Sequence, residues 1–399
     1  MNHRHVAWLT AIVYFIQGAL GISAVALPIY FRNLGWSIEQ ITTIASLASL
    51  PWIFKIVYGY FSDSFPLFGV RRKSYLLIYL FCSVAGWVAL ACWGKQPSAV
   101  LVSLWIANLG FAGTDVITDG LVVEKSDREW SRLYQSLSWG CRSLGAVATG
   151  MLGGWLMSQV EPKTIFLITA CLPLLALPPL LLVHEQPAQA GARPLGGVST
   201  AKEVLRFCVR KETLGWFAFL ALATSSALFG TPFFFHMKEK LFFANDFLGF
   251  LISLGWAGAA LGSLAFGFWM TKIPVKHTLY VVVAVNVLNI LSTYAVRGPD
   301  SAVWLILFGG IATGIVLIPM MSVAAEMTRG TGAEGSIFAL MMGFFNLSQI
   351  AWGFLGGKLF AMAGVNNLIL ISALLQGLAF FLIAPFIRNQ KPVSDYVVN

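Results

Sequence analysis

Long apolar runs recur along the sequence and constrain its fold more than any other feature. Runs of 18 to 26 residues with few charges follow one another over almost the whole length. A helix needs roughly 20 apolar residues to cross a hydrocarbon core about 30 Å thick. Because 58% of the residues are hydrophobic and only 11% are charged, a soluble core could not bury them all. We therefore expect a membrane protein whose spans are helices.

The runs predict twelve transmembrane helices. Arg4 and two histidines before the first run are typical of a signal peptide, but the run continues past Pro28 without a small-residue cleavage site, so we interpret it as the first span. The expected bounds are 8–31, 38–61, 74–94, 98–122, 132–158, 163–183, 213–237, 245–270, 277–296, 301–325, 333–358 and 364–387.

Positive charges predict the orientation, because cytoplasmic loops are enriched in Lys and Arg. With the N-terminus inside, the predicted cytoplasmic segments hold 17 of the 26 Lys and Arg residues, and the outer loops hold six. An even number of spans then places both termini in the cytoplasm, with the chain in the cell inner (plasma) membrane. The net charge of +9 follows from this bias, and the inner loops are too short for a nucleic-acid-binding domain.

The sequence carries no motif of an enzyme or of a metal centre. Its five cysteines form neither a CxxC pair nor a Cys/His cluster. An HExxH metal motif and a nucleophile elbow are also absent from the sequence. We therefore expect no enzymatic reaction, no cofactor and no metal.

The chain repeats itself about a polar stretch. We predict a six-helix bundle at 1–183, a cytoplasmic linker at 184–212 and a second six-helix bundle at 213–399. Leu121-Val-Val-Glu matches Val323-Ala-Ala-Glu, and Gly150-Met-Leu-Gly-Gly matches Gly353-Phe-Leu-Gly-Gly, at offsets of 202 and 203 residues. Parallel repeats of six helices are the plan of the major facilitator superfamily. The predicted fold class is an all-α membrane protein with twelve transmembrane helices in two six-helix pseudo-symmetric bundles.

The second predicted inner loop resembles the loop signature of that superfamily. Ser64 stands where an Arg is usual, and residues 65–68 are additional. We expect Asp63 to meet a helix N-terminus or a cation, and the basic run from Arg71 to Lys73 to stay in the anionic headgroup zone. Alternatively, the basic residues only anchor the loop inside. The predicted gating loop consists of Gly59, Asp63, Gly69, Arg71 and Arg72.

Four ionisable residues within the predicted spans indicate a binding site: Lys55, Asp115, Asp119 and Arg142. Each charge costs roughly 2.5–3.5 kcal/mol at the centre of a membrane helix, so we expect them to pair. Asp115 and Asp119 are spaced i, i+4 and share one helix face. Two close carboxylates resist joint ionisation, so we expect one of them to hold a proton.

Three residues of the fifth span extend this predicted site. Gln135, Trp139 and Arg142 share one helix face, and together they suit a flat, polar, partly anionic ligand. Alternatively, the intramembrane charges only lock the bundle together. The second half argues against this alternative, because the equivalent positions are uncharged. They are Leu317, Met321, Phe345 and approximately Ser263.

Several segments of the first half resemble the folate-biopterin transporter family, a branch of the major facilitator superfamily. In this family the loop accounts for the additional residues 65–68. The resemblance implies secondary active transport of folates or pterins by alternating access, usually coupled to protons. The segments that carry it are Leu27-Pro-Ile-Tyr-Phe-Arg-Asn-Leu-Gly, 58–75, Asp115-Val-Ile-Thr-Asp-Gly-Leu-Val-Val-Glu and Ser136-Leu-Ser-Trp-Gly.

The resemblance assigns roles to the predicted site. One carboxylate can accept the two adjacent N–H groups of a pterin, and a glutamyl tail requires Arg or Lys. We hypothesise that Asp115 or Asp119 holds the pterin edge or the coupling proton, while Arg142 and Lys55 meet substrate carboxylates and Trp139 stacks on the ring. The expected partners are the small-molecule substrate, protons and the lipid bilayer, with the chain acting as a monomer.

Two alternatives to this function are open. A muropeptide permease of the AmpG type has a similar pair of aspartates in its fourth span, and its anionic sugar-peptide would use the same charges. A sensor that keeps the transporter fold without carrying a solute belongs to another class. We find no appended soluble domain through which a sensor would signal. Flux measurements would separate these alternatives.

Overall fold

The chain folds almost entirely into helices. The computed structural model describes residues 3–125, 128–185, 204–267, 273–328, 331 and 334–386. Within these ranges there is no strand, only an isolated bridge between Leu67 and Val70. Helices are what the apolar runs require, because a helix satisfies its backbone hydrogen bonds internally where lipid offers none. The predicted all-α membrane fold is confirmed.

Nine helices cover the first half of the chain. The predicted second and sixth spans are each interrupted by a short 3-10 turn, at Leu50–Phe54 and Leu172–Ala176. Each turn carries a proline near its start, which lacks the N–H that would continue the α-helical ladder. The described helices are α1 (His3–Ala19), α2 (Ser23–Asn33), α3 (Ile38–Ala48), α4 (Lys55–Ser64), α5 (Lys73–Trp93), α6 (Pro97–Lys125), α7 (Arg128–Gln159), α8 (Pro162–Cys171) and α9 (Leu177–Leu182).

The second half continues with long helices. A short helical segment at 204–208 precedes them. They are α10 (Lys211–Ala223), α11 (Gly230–Phe235), α12 (Asn245–Ala265), α13 (Val275–Ser292), α14 (Pro299–Thr328) and α15 (Glu334–Phe386). The last contains two predicted spans, which Gly364 separates with a φ of 70°. Such a left-handed backbone is readily adopted by glycine, so the chain turns there.

The lengths of these helices fit a multi-pass membrane protein. In the described parts of the chain, nine helical stretches are long and apolar enough to cross a membrane. One of the nine, Ser336–Ile383, includes both of the last two predicted spans. The predicted fifth and seventh spans are also helical, as α7 and as α10 with α11.

The helices form two compact units. One unit contains Met1–Trp36, Leu47–Gly197 and Ala244–Ser253, and the other contains Ser37–Ser46, Val198–Phe243 and Leu254–Asn399. The units follow the two halves of the chain except for the exchanged segments Ser37–Ser46 and Ala244–Ser253. The domain boundaries given by the sequence stay a prediction.

Equivalent packing contacts recur inside each unit. In the first unit the buried hydroxyl groups of Ser23 and Thr169 lie 2.6 Å apart. In the second, Ser225 and Ser372 each donate a hydrogen bond to the other's carbonyl oxygen, at 3.0 and 2.9 Å. Both pairs join corresponding helices of the two predicted repeats. Buried hydroxyl groups need such partners, and both predicted repeats provide them.

Close helix packing in the first unit depends on glycine at crossing points. A Cβ atom added at Gly86 of α5 would overlap the backbone of Ser103 and Ala107 of α6. Small residues at such crossings let membrane helices approach backbone to backbone, which is where their association gains van der Waals contact. Gly140 of α7, by contrast, faces open space.

We expect Gly86→Ala to destabilise the protein by about 1–3 kcal/mol, because the added methyl group must push α5 and α6 apart. Gly140→Ala is the matched control. It should be neutral or stabilise the helix by about 0.5–1 kcal/mol, since Ala loses less backbone entropy than Gly. The measurement is the thermal unfolding midpoint of each purified variant in detergent. Equal midpoints for the two variants would contradict the close crossing.

Candidate functional site

Lys55 and Asp115 form a buried ion pair in the first unit. The Lys55 ammonium nitrogen lies 2.5 Å from Oδ2 of Asp115, and the two side chains are only 20% and 7% exposed. In a medium of low polarity each charge needs the other, since an uncompensated charge would lose its hydration. The pairing predicted from the sequence is confirmed for these two residues.

The proline-containing turn in the second span positions Lys55. Pro51 lies in the turn Leu50–Phe54, and α4 starts again at Lys55. The Tyr58 hydroxyl donates to the Pro51 carbonyl oxygen at 2.8 Å, which satisfies an acceptor freed by the break. The ammonium of Lys55 also lies 4.9 Å from the centre of the Trp52 ring. Trp52 donates in turn to Asn108 Oδ1 at 2.8 Å.

The first helix contributes two polar side chains that sequence reasoning did not identify. Gln17 donates through Nε2 to Oδ1 of Asp115 at 2.6 Å, and the Tyr14 hydroxyl donates to Oδ1 of Asp119 at 2.5 Å. Tyr14 and Gln17 are spaced i, i+3 on one face of α1, as Asp115 and Asp119 share one face of α6. That spacing of polar residues in an apolar span was the available signal.

The two carboxylates have different surroundings. Both oxygens of Asp115 are occupied, one by Lys55 and one by Gln17, and the residue is buried. Asp119 is exposed and accepts its hydrogen bond from the neutral phenol of Tyr14. Asp119 is therefore the more accessible of the two carboxylates.

Trp139 and Arg142 lie together on α7, as predicted. The guanidinium carbon of Arg142 is 5.5 Å from the centre of the half-buried Trp139 ring, a cation–π distance. The Arg142 backbone meets Gly18 of α1, so this part of α7 adjoins the turn that carries Gln17. The side chain of Gln135 lies outside the described residues.

The predicted gating loop contains a second ion pair, between the buried Arg72 and the more exposed Asp63, whose side chain is 41% exposed. Arg72 Nη2 lies 2.5 Å from Oδ1 of Asp63, and Arg72 also donates to the Ser62 hydroxyl at 2.9 Å. The expectation that Asp63 meets a cation is confirmed. Arg72 is only 6% exposed, so it packs inside the protein, and its position relative to the headgroups stays a prediction. Asp63 neutralises the charge of Arg72.

Glu185 fixes the same loop from a distant part of the sequence. Its carboxylate accepts the backbone N–H groups of Arg71, Arg72 and Lys73, each at 2.8 Å, at the N-terminus of α5. A negative charge is favourable there, because the first N–H groups of a helix have no intrahelical acceptor. Lys73 reciprocates by donating to the Leu181 carbonyl oxygen at 2.9 Å. Sequence reasoning placed Glu185 in the linker and missed this contact.

The two glycines of the loop have distinct roles. Gly69 has a φ of 78° in a tight turn that is closed by hydrogen bonds between Leu67 and Val70, at 3.0 and 3.1 Å. Gly59 faces Val116 of α6, where an added Cβ atom would lie 3.4 Å from the valine methyl group. Both lie on the elements that bear the Asp63–Arg72 pair.

Comparison with known proteins places this chain in a known family. The model of the BT1 family matches residues 17–369. The chain belongs to the BT1 family. A folate-biopterin transporter of Synechocystis sp. is 31% identical over 96% of this chain and 81% of its own length. Probable folate-biopterin transporter 7 of Arabidopsis thaliana is 24% identical over 92% of this chain and 88% of its own length.

Solved structures agree on the fold of this BT1 family member. The crystal structure of the nucleoside transporter NupG matches with a TM-score of 0.73 at 15% identity, over 98% of this chain and 100% of NupG. A NupG variant gives a TM-score of 0.76, over 96% of this chain and 100% of that chain. The expected major facilitator fold is confirmed, and the BT1 relatives are transporters, not enzymes.

We expect Lys55→Met to destabilise the protein by about 3–5 kcal/mol, because it leaves Asp115 buried without its cation. The double variant Lys55→Met, Asp115→Leu should recover most of that loss, since two apolar groups replace the pair. Lys358→Met is the matched control. Lys358 pairs with Glu39 at 2.6 Å in the second unit, but these side chains are 51% and 37% exposed, so we expect a loss below about 1 kcal/mol. The measurement is the thermal unfolding midpoint of each of these three variants in detergent. If the destabilisations caused by Lys55→Met and Asp115→Leu simply add in the double variant, the two residues are not a coupled pair.

Proposed function

We propose that the chain is a proton-coupled secondary active transporter that moves a folate- or pterin-type solute across the inner membrane by alternating access, with both termini in the cytoplasm. The observation that carries this proposal is the inequality of the two carboxylates on α6. Asp115 is neutralised by Lys55, whereas Asp119 is exposed and bonded to a neutral phenol. The charge of Asp115 is therefore fixed, whereas the charge of Asp119 can change. The names of the BT1 relatives support the substrate class.

The formal charge of the site explains how a proton would assist an anionic solute. With Asp119 ionised, the charges of Lys55, Asp115, Asp119 and Arg142 cancel. A proton on Asp119 leaves a net positive charge, which attracts a glutamyl carboxylate in a region of low polarity. Proton and substrate then favour each other's binding, as symport requires.

The remaining side chains suit the two ends of a folate. Trp139 offers a half-buried indole face for stacking on a pterin ring, and Arg142 lies beside it to meet a carboxylate. Each oxygen of Asp115 already accepts a hydrogen bond, one from Gln17 and one from Lys55, so a pterin N–H would have to compete with them. We therefore assign the coupling proton to Asp119 and a structural charge to the Lys55–Asp115 pair.

We expect purified protein in proteoliposomes to take up folate and a simple pterin, and an acidic exterior to stimulate both. A muropeptide should not compete, and a proton ionophore should abolish accumulation above the external concentration. Protein-free vesicles are the control. Uptake of the muropeptide instead of both pterin compounds would refute the substrate class. The absence of flux for all three solutes would favour the sensor alternative.

We expect Asp119→Asn to remove the dependence of uptake on external pH, because an amide cannot carry the coupling proton. Exchange of substrate across the membrane at equal pH should persist, since that reaction needs no net proton movement. Asp300→Asn, an exposed aspartate in the first turn of α14, is the matched control and should keep the normal pH profile. An unchanged pH profile for Asp119→Asn would exclude the coupling role.

A further inference from the structure

Helix α1 offers a separate neutral donor to each carboxylate of α6. Gln17 donates to Asp115 at 2.6 Å, and Tyr14 donates to Asp119 at 2.5 Å. A hydroxyl group that donates to a carboxylate over so short a distance forms a charge-assisted bond when that carboxylate is ionised. One donor therefore acts on Asp115, whose charge is paired with Lys55, and the other acts on Asp119, to which the coupling proton is assigned.

The position of α1 does not depend on these two bonds. Gly18 of α1 packs against the backbone of Arg142, and Gly145 of α7 packs against the Phe15 carbonyl oxygen. The α1–α7 crossing thus holds the helix through backbone contact on another face. Removing the Tyr14 hydroxyl should leave α1 in place, so its bond to Asp119 requires an explanation other than packing.

The groups around Asp119 come from several helices. Tyr14 of α1 bonds to it directly, Asp115 lies one turn before it on α6, and Lys55 of α4 is paired with Asp115. Arg142 of α7 lies where α1 and α7 cross. From the loop preceding α5, the Arg72 guanidinium packs beside Gly120, the next residue on α6, but its charge is paired with Asp63. The hydrogen bond recorded for Asp119 thus comes from a neutral donor.

We propose that Tyr14 is a positioning residue that sets the external pH at which Asp119 takes up the coupling proton, and that Gln17 keeps Asp115 out of this equilibrium. The proposal rests on the proposed function. The Tyr14 O–H donates to Oδ1 and stabilises ionised Asp119, so a proton that binds at Oδ2 weakens this bond by removing its charge assistance. Without the hydroxyl, protonation becomes easier and occurs at higher pH. The Lys55 ammonium pairs with one oxygen of Asp115 and Gln17 donates to the other, so that carboxylate stays ionised throughout.

The experiment is folate uptake by proteoliposomes as a function of external pH, with the internal pH held constant. Hydrogen bonds to charged groups contribute about 1.5–3 kcal/mol, and one pH unit corresponds to 1.36 kcal/mol, so Tyr14→Phe should raise the midpoint by about one to two pH units. Tyr30→Phe is the matched control. It removes only the hydroxyl group of Tyr30 on α2, whose ring packs edge-on against Phe166, and should leave the midpoint unchanged. An unchanged or lowered midpoint for Tyr14→Phe overturns the proposal.

A second pair of variants keeps the proposal testable if Tyr14→Phe does not fold. Trifluorotyrosine introduced at position 14 keeps the ring but strengthens the phenol as a donor, so it should lower the midpoint. Gln17→Met, which removes the amide from Asp115, should change the KM for folate without moving the midpoint. A fluorinated variant with an unchanged or raised midpoint overturns the proposal, as does a Gln17→Met variant with the same shift as Tyr14→Phe.

The unsubstituted protein separates failure of this inference from failure of the proposed function. If its uptake does not vary with external pH, proton coupling is refuted, and the role of Tyr14 is refuted with it. If its uptake does vary but the Tyr14 variants share its midpoint, the coupling stands and only the role of Tyr14 is refuted. The same vesicles and substrate serve both comparisons.

Discussion

The ion pair between Lys55 and Asp115 is the contact on which the rest of the site depends. Neither charge is tolerable alone in a region of low polarity, so the pair ties α4 to α6 at 2.5 Å. Gln17 adds α1 to the same carboxylate. Asp115 thus accepts one hydrogen bond on each of its oxygens and is held between three helices. Asp119, one turn further along α6, is left as the more exposed of the two carboxylates.

The loop after α4 shows the same principle at a second position. Arg72 is nearly as buried as Asp115 and is neutralised by Asp63, while Glu185 satisfies the N–H groups at the start of α5. Lys73 returns a hydrogen bond to the carbonyl oxygen of Leu181 near the end of α9. The loop is therefore fixed at both of its ends by charged groups that find partners within the same unit. Such pairing allows a strongly basic segment to pack inside the fold.

Sequence reasoning recovered the features that carry a large energetic penalty. The spans follow from the exclusion of unpaired backbone groups from lipid, and the Lys55–Asp115 pair follows from the cost of a buried charge. Tyr14, Gln17 and Trp52 were not predicted, because neutral polar side chains occur in many spans without penalty. Glu185 was missed for another reason. Its acceptors are backbone N–H groups more than a hundred residues earlier, and nothing in local sequence reports such a contact.

The two predicted repeats share buried hydroxyl contacts but differ in their charged residues. Buried hydroxyl contacts recur in both, as Ser23 with Thr169 and Ser225 with Ser372, whereas Asp115 and Asp119 correspond to Leu317 and Met321. In the second unit, two buried or partly buried polar side chains donate to the backbone. Asn286 and Trp352 donate to carbonyl oxygens near the end of α10, where a 3-10 turn leaves acceptors unpaired. Because any six-helix bundle must satisfy its buried hydroxyl groups but need not carry charges, the two predicted repeats share the contacts that hold helices together, whereas the paired aspartates occur in the first.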